Sequence, residues 1–324
     1  EENKGMRAMF LMMNEARLLV GLQGFSCASA SYLNALNYAR ERIQGKNLMS
    51  FMDKNASSVP IIQHPDVRRQ LLTMKAYVEG MRSLLYYVAY CDDIIEISDD
   101  DAEKAKYKGL VDILIPLAKG YVSDRAYDVC NIGMQVYGGY GYIKEYPQEQ
   151  LVRDCRITMI YEGTNGIQAM DLLGRKLGMN EGKPIMDLLG EVQSVIAMAK
   201  AMPSLTGLAD KLTETVNKLG EVAMHMGKTA MSEKALDAFA FAYPFMEVMG
   251  DVAMAWMLLW RASIAAKRLE KGAKKKDRAF YEGQTRSAEF FIHSIMPISL
   301  GKMNAILNCN DAITRISEDA FGGK

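Results

Sequence analysis

Apolar residues keep helical spacing over most of the chain. Val67, Leu71, Met74, Val78, Met81, Leu85 and Val88 step by four and three without a miss, which predicts one long amphipathic helix. Pro65 stands at its start, where a proline is tolerated because its missing N–H would have no partner there. Leu110, Leu114, Leu117 and Tyr121 repeat the spacing, and Pro116 predicts a kink among them. The acidic run 98–103 between the two reads as a solvated turn and helix start. A calcium loop is disfavoured, because the Asp-x-Asp-x-Asp-Gly spacing is missing.

An opening helix, rich in methionine and small residues, is expected over about 6–42. Another begins near Pro147 and breaks around Gly163, and a short one follows through Leu172. Residues 178–184 (Gly-Met-Asn-Glu-Gly-Lys-Pro) read as a linker. Beyond it, Leu208, Leu212, Val216, Leu219, Ala223 and Met226 form a stripe. The segment 245–269 is strongly apolar on one side, and a last long helix starts near Asp277 and meets Pro297. Period-2 strand patterns are absent. The fold expected is therefore all-α: an antiparallel helical bundle over residues 1–178, then a second helical domain over 184–324.

Composition narrows the function classes. Lys plus Arg equals Asp plus Glu, at 39 each, so net charge gives no reason to expect nucleic acid or an anionic membrane as a partner. Five scattered cysteines, odd in number and without a CxxC, suggest a reduced, cytoplasmic protein. The three histidines lie far apart, without metal-ligand spacing. No run of about 18 residues is apolar and free of charge, so no membrane span is expected. The chain opens Glu-Glu-Asn-Lys-Gly-Met, without an initiator methionine, which suggests that the natural protein extends upstream.

Candidate chemistry concentrates between residues 135 and 168. Three glycines within four residues, in Tyr137-Gly-Gly-Tyr-Gly-Tyr142, let the backbone turn sharply and let another group approach. This turn follows no strand, so it is not a Rossmann phosphate loop. In Tyr161-Glu162-Gly163-Thr164 a carboxylate stands at a helix break. Most glutamates are plain surface residues. Packed among apolar and aromatic groups, this one would be desolvated and its pKa would rise, as a general base requires.

These motifs closely resemble the C-terminal signature of acyl-CoA dehydrogenases: Gln135 followed by the Gly-Gly-x-Gly turn, Glu145-Tyr-Pro147, Arg153-Asp154 and Tyr161-Glu-Gly-Thr164. The resemblance runs from Gly5 to about Leu177. The tail from about 184 is similar to the extra helical domain of large bacterial members, the 3-methylmercaptopropionyl-CoA dehydrogenase-like group. The resemblance implies Glu162 as the base that takes the α-proton of an acyl-CoA, FAD as the hydride acceptor and a trans-enoyl-CoA product. It further implies an electron-transfer flavoprotein as electron acceptor and a homodimer or homotetramer. Some members carry the base on the first helix of this half, which keeps Glu15 as the alternative. The resemblance places Asn14, Arg17 and Gly163 at the substrate; Asn14 departs from the family's aspartate, and solvated helix face is the plainer reading of Arg17. It assigns Arg42, Gln44, Gln135, Gly138, Gly139, Tyr161 and Thr164 to the cofactor, with Arg42 and Gln44 reaching the FAD pyrophosphate of a neighbouring subunit. An arginine fork suits phosphate oxygens. Gly166 stands where many relatives carry Gln or Glu.

The 24 methionines invite a pocket reading for Met6, Met9, Met12 and Met13, against which ordinary packing is favoured. Trp256 and Trp260, one turn apart, read as core or interface anchors. The basic run 271–278 has one sharper reading, since some relatives with a C-terminal helical domain bind DNA; solvated lysines in a link are favoured. Three hypotheses therefore stand: part of a dehydrogenase, a flavoprotein of that fold with a DNA-binding or protective role, and a helical oligomerisation fragment. The family's flavin lies between this half and a β-domain, so the isolated chain is expected to bind FAD poorly and turn over little.

Overall fold

The computed structural model describes residues 5–50 and 52–323. Helix α1 (Gly5–Glu41) is 37 residues long, about 55 Å at 1.5 Å per residue. A small antiparallel hairpin follows, β1 (Ile43–Lys46) with β2 (Ser58–Pro60), with Ile43 opposite Pro60. These strands correct the expectation of no strand. They are four and three residues long, too short for alternation to register, and the fold stays all-α in character.

Helix α2 (Pro65–Ile97) carries the predicted stripe, with Leu71, Met74, Val78, Met81, Leu85 and Val88 buried and Pro65 in the first turn. Helix α3 (Asp101–Pro116) is capped by Asp100, which accepts from the Ala102 N–H at 2.8 Å, so the acidic run is a helix start. Pro116 keeps helical torsions (φ −57°, ψ −36°). The adjustment falls one step later, in a π-turn over Leu117–Tyr121, where the Val122 N–H returns to the Leu117 carbonyl. Helices α4 (Val122–Tyr137), α5 (Gln148–Arg156) and α6 (Asn165–Asp171) complete this part.

Left-handed Asn180, Glu181 and Gly182 reverse the chain at the expected linker. Helices α7 (Lys183–Lys200), α8 (Thr206–Ala230), α9 (Ala235–Ala240), α10 (Ala242–Glu270), α11 (Lys275–Phe290), α12 (Met296–Leu307) and α13 (Ala312–Arg315) follow. Helix α10 is buried almost all round and packs on α2, α7, α8, α11 and α12. One hydrophobic cluster runs through residues on both sides of the linker. Trp256 is fully buried there, stacked on Trp260 at 6.4 Å and edge-on to Tyr87 at 5.0 Å.

Two helical stretches, Ala242–Glu270 and Lys275–Leu307, are long and apolar enough to cross a bilayer. The first has 83% of its apolar window buried within the protein, as a core helix does. Lys271, Lys274, Lys275 and Lys276 are exposed in and beside the link from α10 to α11.

Candidate functional site

The loop 161–164 joins the turn after α5 to α6. Glu162 adopts φ 57° and Gly163 φ 84°. A left-handed backbone costs a non-glycine residue about 1–2 kcal/mol, so the surroundings must hold it. The Gln168 amide donates to the Glu162 carbonyl at 3.3 Å and lies 3.5 Å from that of Gly163. Lys119, in the π-turn and fully buried, donates to the Gly163 carbonyl at 2.7 Å and to Asn165 Oδ1 at 2.8 Å. Thr164 caps α6, its hydroxyl accepting from the Ile167 N–H. The Tyr161 hydroxyl donates to Gln23 of α1.

Glu162 itself is exposed, which corrects the expectation of a carboxylate desolvated within this chain. The reason is local: Tyr161 turns to α1 instead of covering its neighbour. Apolar side chains beside the loop are exposed as well, among them Ile160, Ile167 and Met170, as are Met12 and Leu19 on α1. Met9 is also exposed and Met13 half-buried; the Met6 side chain lies outside the described residues.

Charge beneath this face is buried. Burial first of all pushes the Lys119 ammonium down to about 8, with Asp124 and Glu162 opposing and Arg17 assisting. Burial raises the Asp124 carboxyl, against hydrogen bonds from Tyr243 and Asn165. Arg17 is 5% exposed, which removes the solvated-face reading. It points to Asp171 at 3.6 Å, and its Nε is buried without a partner among the described residues. Asn14 is half-buried, and Glu15 is exposed on α1.

A second group of predicted residues gathers elsewhere. Arg42, Gln44, Gln135 and Gly138 line one open cleft of about 400 Å³ with Tyr38, His64 and Tyr137. His64 Nε2 lies 2.7 Å from the Gln44 carbonyl, and the Arg42 guanidinium stands 5.2 Å over the Tyr140 ring. Gly138 has φ 61°, and a side chain added at Gly138 or Gly139 would meet nothing within 4 Å among the described residues. The turn is anchored by Tyr137, stacked on Tyr38 at 4.1 Å.

The two groups sit at different levels of α1. Gln23 touches Tyr161 and Tyr38 touches Tyr137. These contacts are 15 positions apart (38 − 23), about 22 Å along the helix. The structure thus joins Tyr161, Glu162, Gly163 and Thr164 over Arg17, and separately Arg42, Gln44, Gln135, Gly138 and Gly139. Sequence reasoning missed Lys119, Asn165 and Gln168. One signal was available: Lys119 is the only charge between Asp112 and Asp124.

Residues 3–177 match the family described as "Acyl-CoA dehydrogenase, C-terminal domain", and residues 188–317 match "Acetyl-CoA dehydrogenase C-terminal like". The chain belongs to the acyl-CoA dehydrogenase family, of which it carries the C-terminal helical part. It is 34% identical to the broad-specificity linear acyl-CoA dehydrogenase FadE5 of Mycobacterium tuberculosis, a match covering 99% of this chain and 54% of that protein. It is 35% identical to the 3-methylmercaptopropionyl-CoA dehydrogenase of Ruegeria pomeroyi, over 98% and 53% respectively. The chain therefore spans about half the length of the curated relatives it matches. Among solved structures, Caenorhabditis elegans ACDH-11 in complex with C11-CoA shares the fold, with a TM-score of 0.72 at 17% identity over 89% of this chain and 44% of that one.

Proposed function

We propose that this chain is the C-terminal half of an FAD-dependent acyl-CoA dehydrogenase in which Glu162 removes the α-proton of an acyl-CoA thioester. The observation that carries this reading is a carboxylate on a left-handed residue, fastened from below by Lys119 and Gln168, standing on an exposed apolar face. Exposed apolar surface around a charge marks a face that another layer covers. A further domain of the full-length protein covers it in this reading, and that cover removes water from the carboxylate and strengthens it as a base.

The residues of the glycine turn fit FAD. The space beside Gly138 and Gly139 is open, and the Arg42 guanidinium, stacked on Tyr140, offers a fork to pyrophosphate oxygens. Gln44 and Gln135 line the same cleft. FAD, when bound, supplies the acceptor for the β-hydride. Glu162 receives the α-proton, Gly163 lets the loop turn beside the substrate, and Tyr161 and Thr164 would border the cofactor from either side of that turn. Asn14 borders the substrate, while Arg17 works from beneath through Asp171. The separation of the two groups along α1 supports a homodimer or homotetramer in which the Arg42 cleft serves the cofactor of a neighbouring protomer. The product is a trans-2-enoyl-CoA, and an electron-transfer flavoprotein removes the electrons. The division into units at 178–184 belongs to the same reading.

In the full-length protein, Glu162→Gln should keep its flavin absorbance and lose turnover of butyryl-CoA. Retained turnover contradicts the assignment and moves attention to Glu15. The isolated chain, purified alone, should carry little flavin; a full visible flavin spectrum would contradict that part.

A further inference from the structure

Three buried polar side chains, Lys119, Asn165 and Asp124, and the half-buried Tyr243 link the Glu162 loop to the second set of helices. Lys119 Nζ reaches the Gly163 carbonyl at 2.7 Å and Asn165 Oδ1 at 2.8 Å. Asn165, 4% exposed, donates from Nδ2 to the Gly120 carbonyl at 3.0 Å, Ser123 Oγ at 2.9 Å and Asp124 Oδ1 at 2.8 Å. Lysine can only donate and an ionised carboxylate can only accept, so the amide has one orientation that serves both sides. Asp124 accepts at its other oxygen from the hydroxyl of Tyr243, on α10. Beside this chain, Gly120 packs against Met246 of α10 and the Gln168 side chain so closely that an added Cβ would lie 2.8 Å from Met246 Sδ.

Burying an ammonium is costly unless its hydrogen bonds are made. This one spends both of its contacts on the segment 163–165. An apolar residue of similar length would fill the space but leave the Gly163 carbonyl only the distant Gln168 amide at 3.5 Å, next to a residue held in an unfavourable backbone conformation.

We propose that Lys119 is a positioning residue for Glu162, and that Tyr243 of α10 supports it through Asp124 and Asn165, which gives the second set of helices a part in the reaction of the first. The inference rests on the reading of Glu162 as the base. Lys119 is fully buried; it acts by fixing the peptide that follows the carboxylate. Misplacing a reacting group by about 1 Å costs on the order of a hundredfold in rate.

Amide hydrogen exchange on this chain tests the clamp without any activity. Lys119→Met should raise exchange over residues 160–166 roughly tenfold while leaving α2 and α8 unchanged, since only the local opening equilibrium is shifted. Unchanged exchange there overturns the proposal. Tyr243→Phe should raise it by a smaller factor; no change removes the part given to α10. If Lys119→Met does not fold, Asn165→Ser removes the second of the two Lys119 contacts and the link to Asp124 while leaving the bond to the Gly163 carbonyl; it should raise the same exchange by a smaller factor, and unchanged exchange overturns the proposal. In the flavin-loaded full-length protein, Lys119→Met should lower the rate at saturating butyryl-CoA by on the order of tenfold to a hundredfold, with KM nearly unchanged. Combined with Glu162→Gln it should cost nothing more, because it acts through that carboxylate; losses that multiply overturn the positioning role. Should Glu162→Gln retain full turnover, the base assignment fails, and the exchange measurement still decides whether Lys119 holds the loop.

Discussion

Replacing Gly21 with alanine should destabilise the protein although Gly21 lies inside a helix. In most helix interiors glycine to alanine stabilises by up to about 1 kcal/mol. Here an added Cβ would lie 2.0 Å from the Ala118 carbonyl oxygen, 2.9 Å from its carbon and 3.3 Å from Leu85 Cδ2. An ordinary carbon–oxygen contact is about 3.3 Å, so α1 and the π-turn must part by roughly 1.3 Å or the Ala118 peptide must rotate. Overpacking of this kind costs about 1–3 kcal/mol. Set against the gain in helix propensity, the net loss is about 1 kcal/mol, or roughly 1–2 °C in Tm for a chain of this length. Urea unfolding of this chain measures it, with Gly220→Ala of α8 as control, because nothing lies within 4 Å of a Cβ there. If Gly21→Ala proves as stable as Gly220→Ala, the close approach of α1 to the π-turn is wrong.

Glu162→Gly relieves a left-handed backbone and should leave stability unchanged or raise it by up to about 1 kcal/mol, while turnover of the full-length protein is lost; thermal melts beside an activity assay check both. Asp251 is buried, accepting from Tyr121 and Ser299 at 2.6 Å each. Asp251→Ala takes the acceptor from the Tyr121 hydroxyl and leaves the Ser299 hydroxyl only the Ile295 carbonyl at 3.4 Å, and should cost about 2–3 kcal/mol in urea unfolding. Lys119 titrates near 8 in the fold because burial disfavours its charge. The unfolded chain, with a lysine pKa of about 10.4, then binds more protons than the folded one between these values, so this group's contribution to stability improves as pH rises from about 8 to 10. That rise should shrink in Lys119→Met, measured by urea unfolding across the range.

Long elements were legible in the sequence because their periodicity extends over many turns. The α2 stripe and the apolar α10 stand where the spacing put them. The hairpin was not legible: Ile43–Lys46 and Ser58–Pro60 hold together by backbone pairing, which leaves little trace in side-chain pattern. Pro116 signalled a disturbance, but its form, a π-turn that brings Lys119 under the loop, depends on packing between α1 and α4. The site was legible as motifs and not as geometry. Resemblance placed Glu162 and the glycine turn in one stretch of sequence, while the structure separates them along α1. It put Arg17 at the substrate, while the structure buries it on Asp171. Such differences arise because helical packing directs side chains in ways that one-dimensional spacing does not encode.

The claim on which the rest depends is that Glu162 takes the α-proton. An acyl-CoA analogue with sulfur at the β-position has no β-hydrogen to lose, so proton removal can be followed alone. Incubated in D2O with the full-length protein and read by mass spectrometry, it should exchange its α-hydrogens in the native protein. Exchange should be slower by on the order of a hundred- to ten-thousandfold in Glu162→Gln. Exchange at the native rate in that variant would contradict the account.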